Sequence, residues 1–391
     1  MSKLDELIAE LCPDGVEYKA LEEIASIELG RRVTKAEIDR NPGQYPVWHG
    51  GETPMGYINK TNCPPYTVLV ANTGSIGYVN WISIDSWCSD AASMVIVKKD
   101  ILSSRFLYHF LKSKEFKIKK FRRIGGVPTL ELRKLRSFPI PIPPLPVQQE
   151  IVRILDNFTE LTAELTAELT AELTARRKQY EYYRDLLLTF GDEVEWKTLG
   201  EIGKLIRGSG LLKSDFVEEG FPCIHYGQIH TYYGTSATET ISFVSVDKSK
   251  KLKKAKKGDV LIAGVSENVE DVCKPLAWLG GDICISGDMF AFRHNQNTKY
   301  ITYLLQTTDF SRYKEKFAHG AKVTRLRQDK LLAYKIPVPP LEEQERIVAI
   351  LDRFDALCND LTSGIPAEIE ARQKQYEYYR DKLLSFKEVT G

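Results

Sequence analysis

The chain has 391 residues, room for two or three domains with cores of their own, and 43% of it is hydrophobic, an ordinary share for a globular protein. A net charge of +1 excludes a uniformly basic surface, so any nucleic-acid face must come from local clusters balanced by acidic residues elsewhere. Seven scattered cysteines without a Cys-x-x-Cys pair argue against structural zinc and for reduced cytoplasmic thiols; Met1-Ser2-Lys3-Leu4-Asp5-Glu6 lacks an apolar signal core, and no run is long enough to span a membrane.

In chain order, Lys3–Leu11 reads as a short helix stopped by Cys12-Pro13-Asp14-Gly15. Val16-Glu17-Tyr18-Lys19-Ala20-Leu21-Glu22-Glu23-Ile24 then opens a globular region. Strand-like runs follow at Tyr45–Trp48, Thr67–Ala71 and Ser93–Val97, and a helix near Ser104–Leu111. Pro139-Ile140-Pro141-Ile142-Pro143-Pro144 is a stiff extended connector. Beyond it, Ile151, Leu155, Phe158, Leu161, Leu165, Leu169, Leu173, Tyr180, Tyr183 and Leu187 recur every three or four residues, with Arg176 the polar exception. Three Thr-Ala-Glu-Leu units, Thr162 to Leu173, fill the middle of this stripe. It predicts a helix of about 42 residues, roughly 63 Å long, which needs a partner to cover its apolar face.

The second half repeats this order. Val194-Glu195-Trp196-Lys197-Thr198-Leu199-Gly200-Glu201-Ile202 echoes the opening phrase. Strand-like runs at Phe221–His225, Asp259–Ala263 and Met289–Arg293 precede a helix near Tyr300–Gln306 and the connector Ile336-Pro337-Val338-Pro339-Pro340. Pro143-Pro144-Leu145 … Gln148 … Ile151-Val152 … Ile154-Leu155-Asp156 returns as Pro339-Pro340-Leu341 … Gln344 … Ile347-Val348 … Ile350-Leu351-Asp352. Lys178-Gln179-Tyr180-Glu181-Tyr182-Tyr183-Arg184-Asp185 returns unchanged as Lys374 to Asp381. Both matches need one offset of 196 residues (339 − 143 and 374 − 178). The second stripe, Ile347, Leu351, Phe354, Leu357, Leu361, Ile369, Tyr376, Tyr379 and Leu383, is interrupted by Ser363-Gly364-Ile365-Pro366, which predicts a break and a restart with Pro366 in the first turn. The expected α+β architecture is two mixed α/β heads separated by a pair of long antiparallel helices with pseudo-twofold symmetry, the segments being 1–140, 141–190, 191–336 and 337–391.

Each head carries a basic cluster. The first has Lys112, Lys114, Lys117, Lys119, Lys120, Arg122 and Arg123; the second has Lys248, Lys250, Lys251, Lys253, Lys254, Lys256 and Lys257. Such a run fits a phosphate backbone or a merely solvated face, and its presence in both heads favours DNA. Trp48 and His49, before Gly50-Gly51, and His225, Tyr226 and Gln228 occupy similar places after a strand. Lys322, Thr324, Arg325 and Arg327 stand where Gly125-Gly126-Val127-Pro128-Thr129 falls in the first half. These side chains have donor patterns suited to base edges, although ordinary loop polarity explains any one of them. Asn72-Thr73-Gly74-Ser75-Ile76-Gly77 and Gly208-Ser209-Gly210 lack a Walker or dinucleotide-binding spacing and read as tight turns. In Asn62-Cys63-Pro64-Pro65-Tyr66 a cysteine precedes Pro-Pro-Tyr, where an amino-methyltransferase needs Asn, Ser or Asp, so no catalytic residue is assigned. His225 and His230 gain no further ligand pair, and no metal site is assigned. Tyr182, Arg184, Tyr378 and Arg380, outside or beside the stripe, are candidate partner-docking residues.

Two variable heads, each followed by Pro-Pro-Leu-x-x-Gln-x-x-Ile-Val-x-Ile-Leu-Asp, resemble the DNA specificity subunit of type I restriction–modification systems; the Thr-Ala-Glu-Leu units and the Lys-Gln-Tyr-Glu-Tyr-Tyr-Arg-Asp blocks resemble its IC subclass. The resemblance implies two target recognition domains, each reading one half of a split double-stranded DNA site. It also implies two docked methyltransferase subunits carrying S-adenosylmethionine, and restriction subunits that add ATP- and Mg-dependent translocation and cleavage. The chain itself would hold no cofactor and do no catalysis. A self-sufficient DNA methyltransferase and a coiled-coil adaptor without a DNA role are the competing readings.

Overall fold

A computed structural model describes residues 2–123, 128–320, 323–359 and 364–389. The chain divides into two compact units, residues 1–167 with 370–391 and residues 168–369.

In the first unit, Thr67–Ala71 is the centre of a four-stranded antiparallel sheet ordered Ala25–Leu29, Ala92–Val97, Thr67–Ala71, Val79–Ile82. All five residues of Thr67–Ala71 are buried, which explains why its strand character is plain in a continuous apolar run. A second sheet joins Gly56–Ile58, Tyr45–Trp48 and Trp87–Cys88, the last pair parallel, with Trp48 opposite Cys88. The helix Ser104–Ser113 buries Phe106, Leu107, Phe110 and Leu111 in the core that also takes Ile151 and Leu155.

The second unit repeats the plan with longer sheets. Gly203–Arg207, Met289–His294, Val260–Ala263, Pro275–Trp278 and Ser236–Ala237 form one. Phe216–Val217, Ser242–Val244, Phe221–Ile224, Ile283–Ile285 and Lys254–Ala255 form the other. The parallel pair recurs, Ile224 lying opposite Ile285. The strands expected from sequence are present within a residue or two of their expected ends. Ala25–Leu29 and Gly203–Arg207 leave no strand pattern in the letters because they are edge strands with mixed, largely uncovered side chains.

The long helix runs Leu145–Leu187, 43 residues. The repeated glutamine has the same task at both helix entries. Gln148 Nε2 donates to Pro143 O (2.7 Å) and its Oε1 accepts from Ser103 N (2.8 Å). Gln344 Nε2 donates to Pro339 O (2.8 Å) and its Oε1 accepts from Asn297 N (3.0 Å). The repeated aspartate ties helix to head in each unit, through different partners. Asp156 binds Arg105 (2.7 Å) and His109 (2.8 Å); Asp352 accepts from Tyr303 Oη (2.6 Å) and pairs with Lys299 (2.8 Å). The constant frame is therefore written in letters, while each head supplies its own counter-residues.

Both units contain an antiparallel helix pair. Within the first, Phe158 meets Tyr379 and Thr159 Oγ1 lies 3.0 Å from Tyr376 Oη; within the second, Tyr183 stacks on Phe354. The second copy is two helices, Leu341–Asn359 and Ile365–Leu383, with Pro366 in the first turn as expected. Ser363 and Leu361 of the expected break lie outside the described residues. The apolar stripe is less covered than its periodicity predicts: Ile151 and Leu155 are fully buried, but Leu161 is 60% exposed. The groove it lines is bordered in part by polar side chains, Arg372 and Gln375, rather than by apolar ones throughout.

His294 gives the second unit a pH dependence. Burial pulls its imidazole down to about 4, its Nδ1 accepts Gln296 N–H (3.1 Å), and the nearby Asp259 only partly opposes the shift. The unfolded chain takes up this proton near pH 6.5, before the folded one does. Stability is therefore full above that pH and falls as the pH drops toward 4, by up to about 3 kcal/mol. His294→Asn keeps an acceptor for Gln296 N–H and removes the titration. Denaturant midpoints at pH 7 and pH 5 should differ less for this variant than for the wild type; equal differences would exclude His294 as the source.

Candidate nucleic-acid interface

The connections at one end of each head's sheets converge. In the first unit, Gly50 closes on Thr73 and Ala91, so the turn after Tyr45–Trp48 abuts the turn after Thr67–Ala71. Gly74 and Gly77 have φ near +71° and +76°, as the tight-turn reading requires, and a Cβ on Gly77 would lie 2.9 Å from Lys119 N. Leu130 N donates to Asn72 O (2.8 Å), which brings Arg122–Arg123, paired with Thr129–Leu130, to the same rim. His49 is exposed, with Nδ1 2.8 Å from Ser89 Oγ, and Trp48 is half-buried behind it.

The first basic cluster does not act as one patch. Arg122, Arg123, Lys117, Lys119 and Lys120 are exposed, although Lys119 pairs with Glu115 (2.6 Å) and Lys120 Nζ sits 4.5 Å over Phe116. Lys112 is taken by Glu115 and by the Tyr78 ring. Lys114 is half-buried and faces Asp381 and Arg380 of the last helix; burial holds its ammonium below the usual lysine range.

In the second unit the rim has the same composition of turns. His225 caps the helix Tyr226–Thr231, its Nδ1 accepting Gly227 N–H (3.2 Å), while its backbone N–H donates to Gln228 Oε1 (2.8 Å). Burial first, and then Lys213, keeps His225 below the usual histidine range and so neutral at pH 7. Gln228 Nε2 is spent on Ser242 Oγ (2.7 Å), leaving Tyr226 the freer of the pair. Val265–Ser266 pairs with Thr324–Arg325; Arg325 is exposed and Thr324 buried, and Lys322 lies outside the described residues.

The second lysine run is split by a strand. Lys254–Ala255 pairs antiparallel with Ile283–Ile285, so Lys253 lies at the rim, its N–H donating to Ser209 Oγ (2.8 Å). Lys251 ends the helix just before it. Lys256 and Lys257 leave toward the far end, where Lys256 N–H is held by Asp259 and Gly258 accepts from Thr298. Lys254 Nζ lies 4.2 Å over the Phe221 ring. Sequence reasoning also passed over exposed arginines at the edge strands, Arg31 and Arg32 just beyond Ala25–Leu29 in the first unit and Arg207 at the end of Gly203–Arg207 in the second; arginines at the end of an edge strand carry no local signal.

On the helices, Tyr182 and Tyr378 are 64% and 62% exposed. Arg184 is buried and Arg380 mostly so; each folds onto its neighbouring aspartate and the tyrosine four residues before it. Those contacts occupy the two arginines within their own units. Cys63 is fully buried and its thiol is pushed up to about 11 by burial. Among the described residues no cluster of three or more His, Cys, Asp or Glu is placed to hold a metal, and no helix is long and apolar enough to cross a membrane.

One repeated frame carrying two differently surfaced rims defines a two-headed recognition protein. The chain belongs to the type I restriction–modification DNA specificity family: the model of the "Type I restriction modification DNA specificity domain" matches it twice, at residues 13–175 and 191–371. It is 35% identical to the Escherichia coli type I restriction enzyme EcoR124I/EcoR124II specificity subunit, over 99% of this chain and 97% of that one. It is 34% identical to a putative type I restriction enzyme specificity subunit of Haemophilus influenzae, over 95% and 96%. A solved chain from work on complex assembly and conformational transition of the type I R-M system shares the fold, with a TM-score of 0.66 and 19% identity, covering 96% of this chain and 98% of that one.

Proposed function

We propose that this chain is the DNA-recognition subunit of a type I restriction–modification complex, in which each head reads one half of a bipartite, asymmetric site in double-stranded DNA. The observation that carries this is the equivalence of the two rims: the same turns after the same strands, filled with different side chains. Different residues on one backbone frame are what two unlike target sequences demand, because base edges are told apart by donor and acceptor pattern.

The helices set the distance between the two reading rims and dock two methyltransferase subunits, with restriction subunits joining through them in the cytoplasm. Tyr182 and Tyr378, the most exposed tyrosines of an octet repeated letter for letter, are the favoured anchors for those two equivalent partners. The chain is non-catalytic: Cys63, buried and protonated, stands where a methyltransferase would need an amine acceptor. S-adenosylmethionine, ATP and Mg belong to the partner subunits.

The test is a complete system expressed with and without this chain. Adenine methylation should map to one split sequence and vanish without the chain, and binding of the assembled complex to that sequence should weaken steeply with salt. Methylation at unrelated sites, or an unchanged pattern without the chain, would remove this reading.

A further inference from the structure

We infer that the end of the edge strand and the turn that follows it form a base-reading element in each head, and that Arg207, the last residue of that strand in the second head, with Arg31 and Arg32 on the turn of the first, reads guanine. This rests on the DNA-recognition reading above and goes beyond it by assigning residues and a base.

The two turns share no sequence beyond one glycine, yet they are pinned alike. A Cβ on Gly30 would fall 2.1 Å from Ser89 O, and one on Gly208 would fall 1.9 Å from Ser286 O. Only glycine allows the backbone that close. The same two serines hold the neighbouring histidine turn: Ser89 Oγ lies 2.8 Å from His49 Nδ1, and Ser286 Oγ accepts from Tyr226 N (3.0 Å). Further bonds stiffen the turns from inside. Arg31 N donates to Cys88 O (3.0 Å), and Trp87 Nε1 donates to Arg31 O (3.0 Å). Gly208 N donates to Met289 O (3.0 Å), and Ser209 N to Ile285 O (3.2 Å).

Exposed guanidiniums flank the two pinned glycines: Arg207 ends the edge strand just before Gly208, and Arg31 and Arg32 directly follow Gly30. Arg207 Nε donates to Gly287 O (3.1 Å), which orients the group and leaves its two terminal nitrogens as an outward fork. That fork matches the O6 and N7 acceptors of guanine, the commonest specific arginine contact. Arg31, Arg32 and Arg207 make no ion pair among the described residues, so no carboxylate competes for the ligand. A phosphate can also take a guanidinium fork, so the two contacts part on sequence dependence: a base contact acts at one position, a phosphate contact on every sequence alike. The Arg207 guanidinium, at the end of a paired strand and held through Nε by Gly287 O, is oriented for a directional acceptor pair, and Arg31 and Arg32 flank the matching glycine in the first head.

The experiment uses the complete methyltransferase–specificity complex and a library of sites randomised one position at a time. Arg207→Ala should cost roughly 10-fold or more in discrimination for guanine at one position of one half-site, leaving the other half-site as in wild type. Arg207→Lys should not restore it, because an ammonium cannot present the fork. Arg31→Ala and Arg32→Ala, made separately, should act on the other half-site alone. Thermal melting of each variant checks that its head remains folded, as exposure of the three side chains predicts. A uniform loss of affinity on every sequence, with a salt slope smaller by about 1, would make these arginines phosphate contacts and overturn the inference. Unchanged discrimination in a site-selective complex would overturn it equally. A wild-type complex with no site selectivity would overturn the functional reading as well.

Discussion

Deleting Thr170–Leu173 should shift the preferred gap between the two half-sites by one or two base pairs and leave both half-site sequences as they were. The deleted unit repeats Thr166–Leu169 letter for letter, so every remaining residue keeps the sequence neighbours it had. Four residues shorten the helix Leu145–Leu187 by about 6 Å and rotate its C-terminal part by roughly 40° past a full turn. Set against the rise of duplex DNA, about 3.4 Å per base pair, that shortening corresponds to one or two steps. The apolar stripe survives because Leu169 takes the place of Leu173 with a small angular error. Methylation of a series of substrates differing only in gap length reads the outcome. An unchanged gap preference would mean that the helix does not set the spacing.

Gly208→Ala should disrupt the second head far more than an alanine on an exposed loop normally does. The new methyl group would meet Ser286 O at 1.9 Å; the methyl is fixed directly to Cα and the oxygen is backbone, so neither can swing away. The strand pairs around Ser286 must separate, at a cost of roughly 2–4 kcal/mol. Gly234→Ala is the matched control, since a Cβ there meets nothing within 4 Å. Hydrogen exchange in the strands Ile283–Ile285 and Met289–His294 should quicken in Gly208→Ala and stay unchanged in Gly234→Ala, with the first unit unaffected. Wild-type protection in Gly208→Ala would show that the close approach is not structurally required. Gly30→Ala makes the same demand of the first head through Ser89 O.

These cases show which parts of the molecule are legible without coordinates. The helix Leu145–Leu187 follows from a stripe of fixed period, and the strands Thr67–Ala71 and Val260–Ala263 from unbroken apolar runs that remain buried on both faces. The duplication is visible because the frame is made of local tasks with local answers. Gln148 and Gln344 close the proline connectors five residues behind them, and Asp156 and Asp352 receive a helix from the head. Trp48-His49 and His225-Tyr226 are recognisable as equivalent because both stand at the end of a strand.

Position along the chain and position in space part company elsewhere. The lysines from Lys251 to Lys257 form one run in sequence, yet the strand Lys254–Ala255 carries Lys253 to the rim and Lys256 and Lys257 to the opposite end. Lys114 belongs to the first cluster by sequence but faces the last helix across more than 260 intervening residues (381 − 114 = 267). Arg184 and Arg380, polar and outside the stripe, are folded onto aspartates and tyrosines of their own helices.

By itself the sequence determined the two-part plan, the long helix and the division between a constant frame and two variable heads. Those features rest on contacts between residues a few positions apart, or on a pattern repeated often enough to declare its period. Only the tertiary structure decided where each charge goes and which turns share a rim. Glycines 30 and 208 acquire their meaning from the carbonyls of serines 89 and 286, dozens of residues away, and hydrogen bonds between strands so distant in sequence leave no periodic trace in the letters.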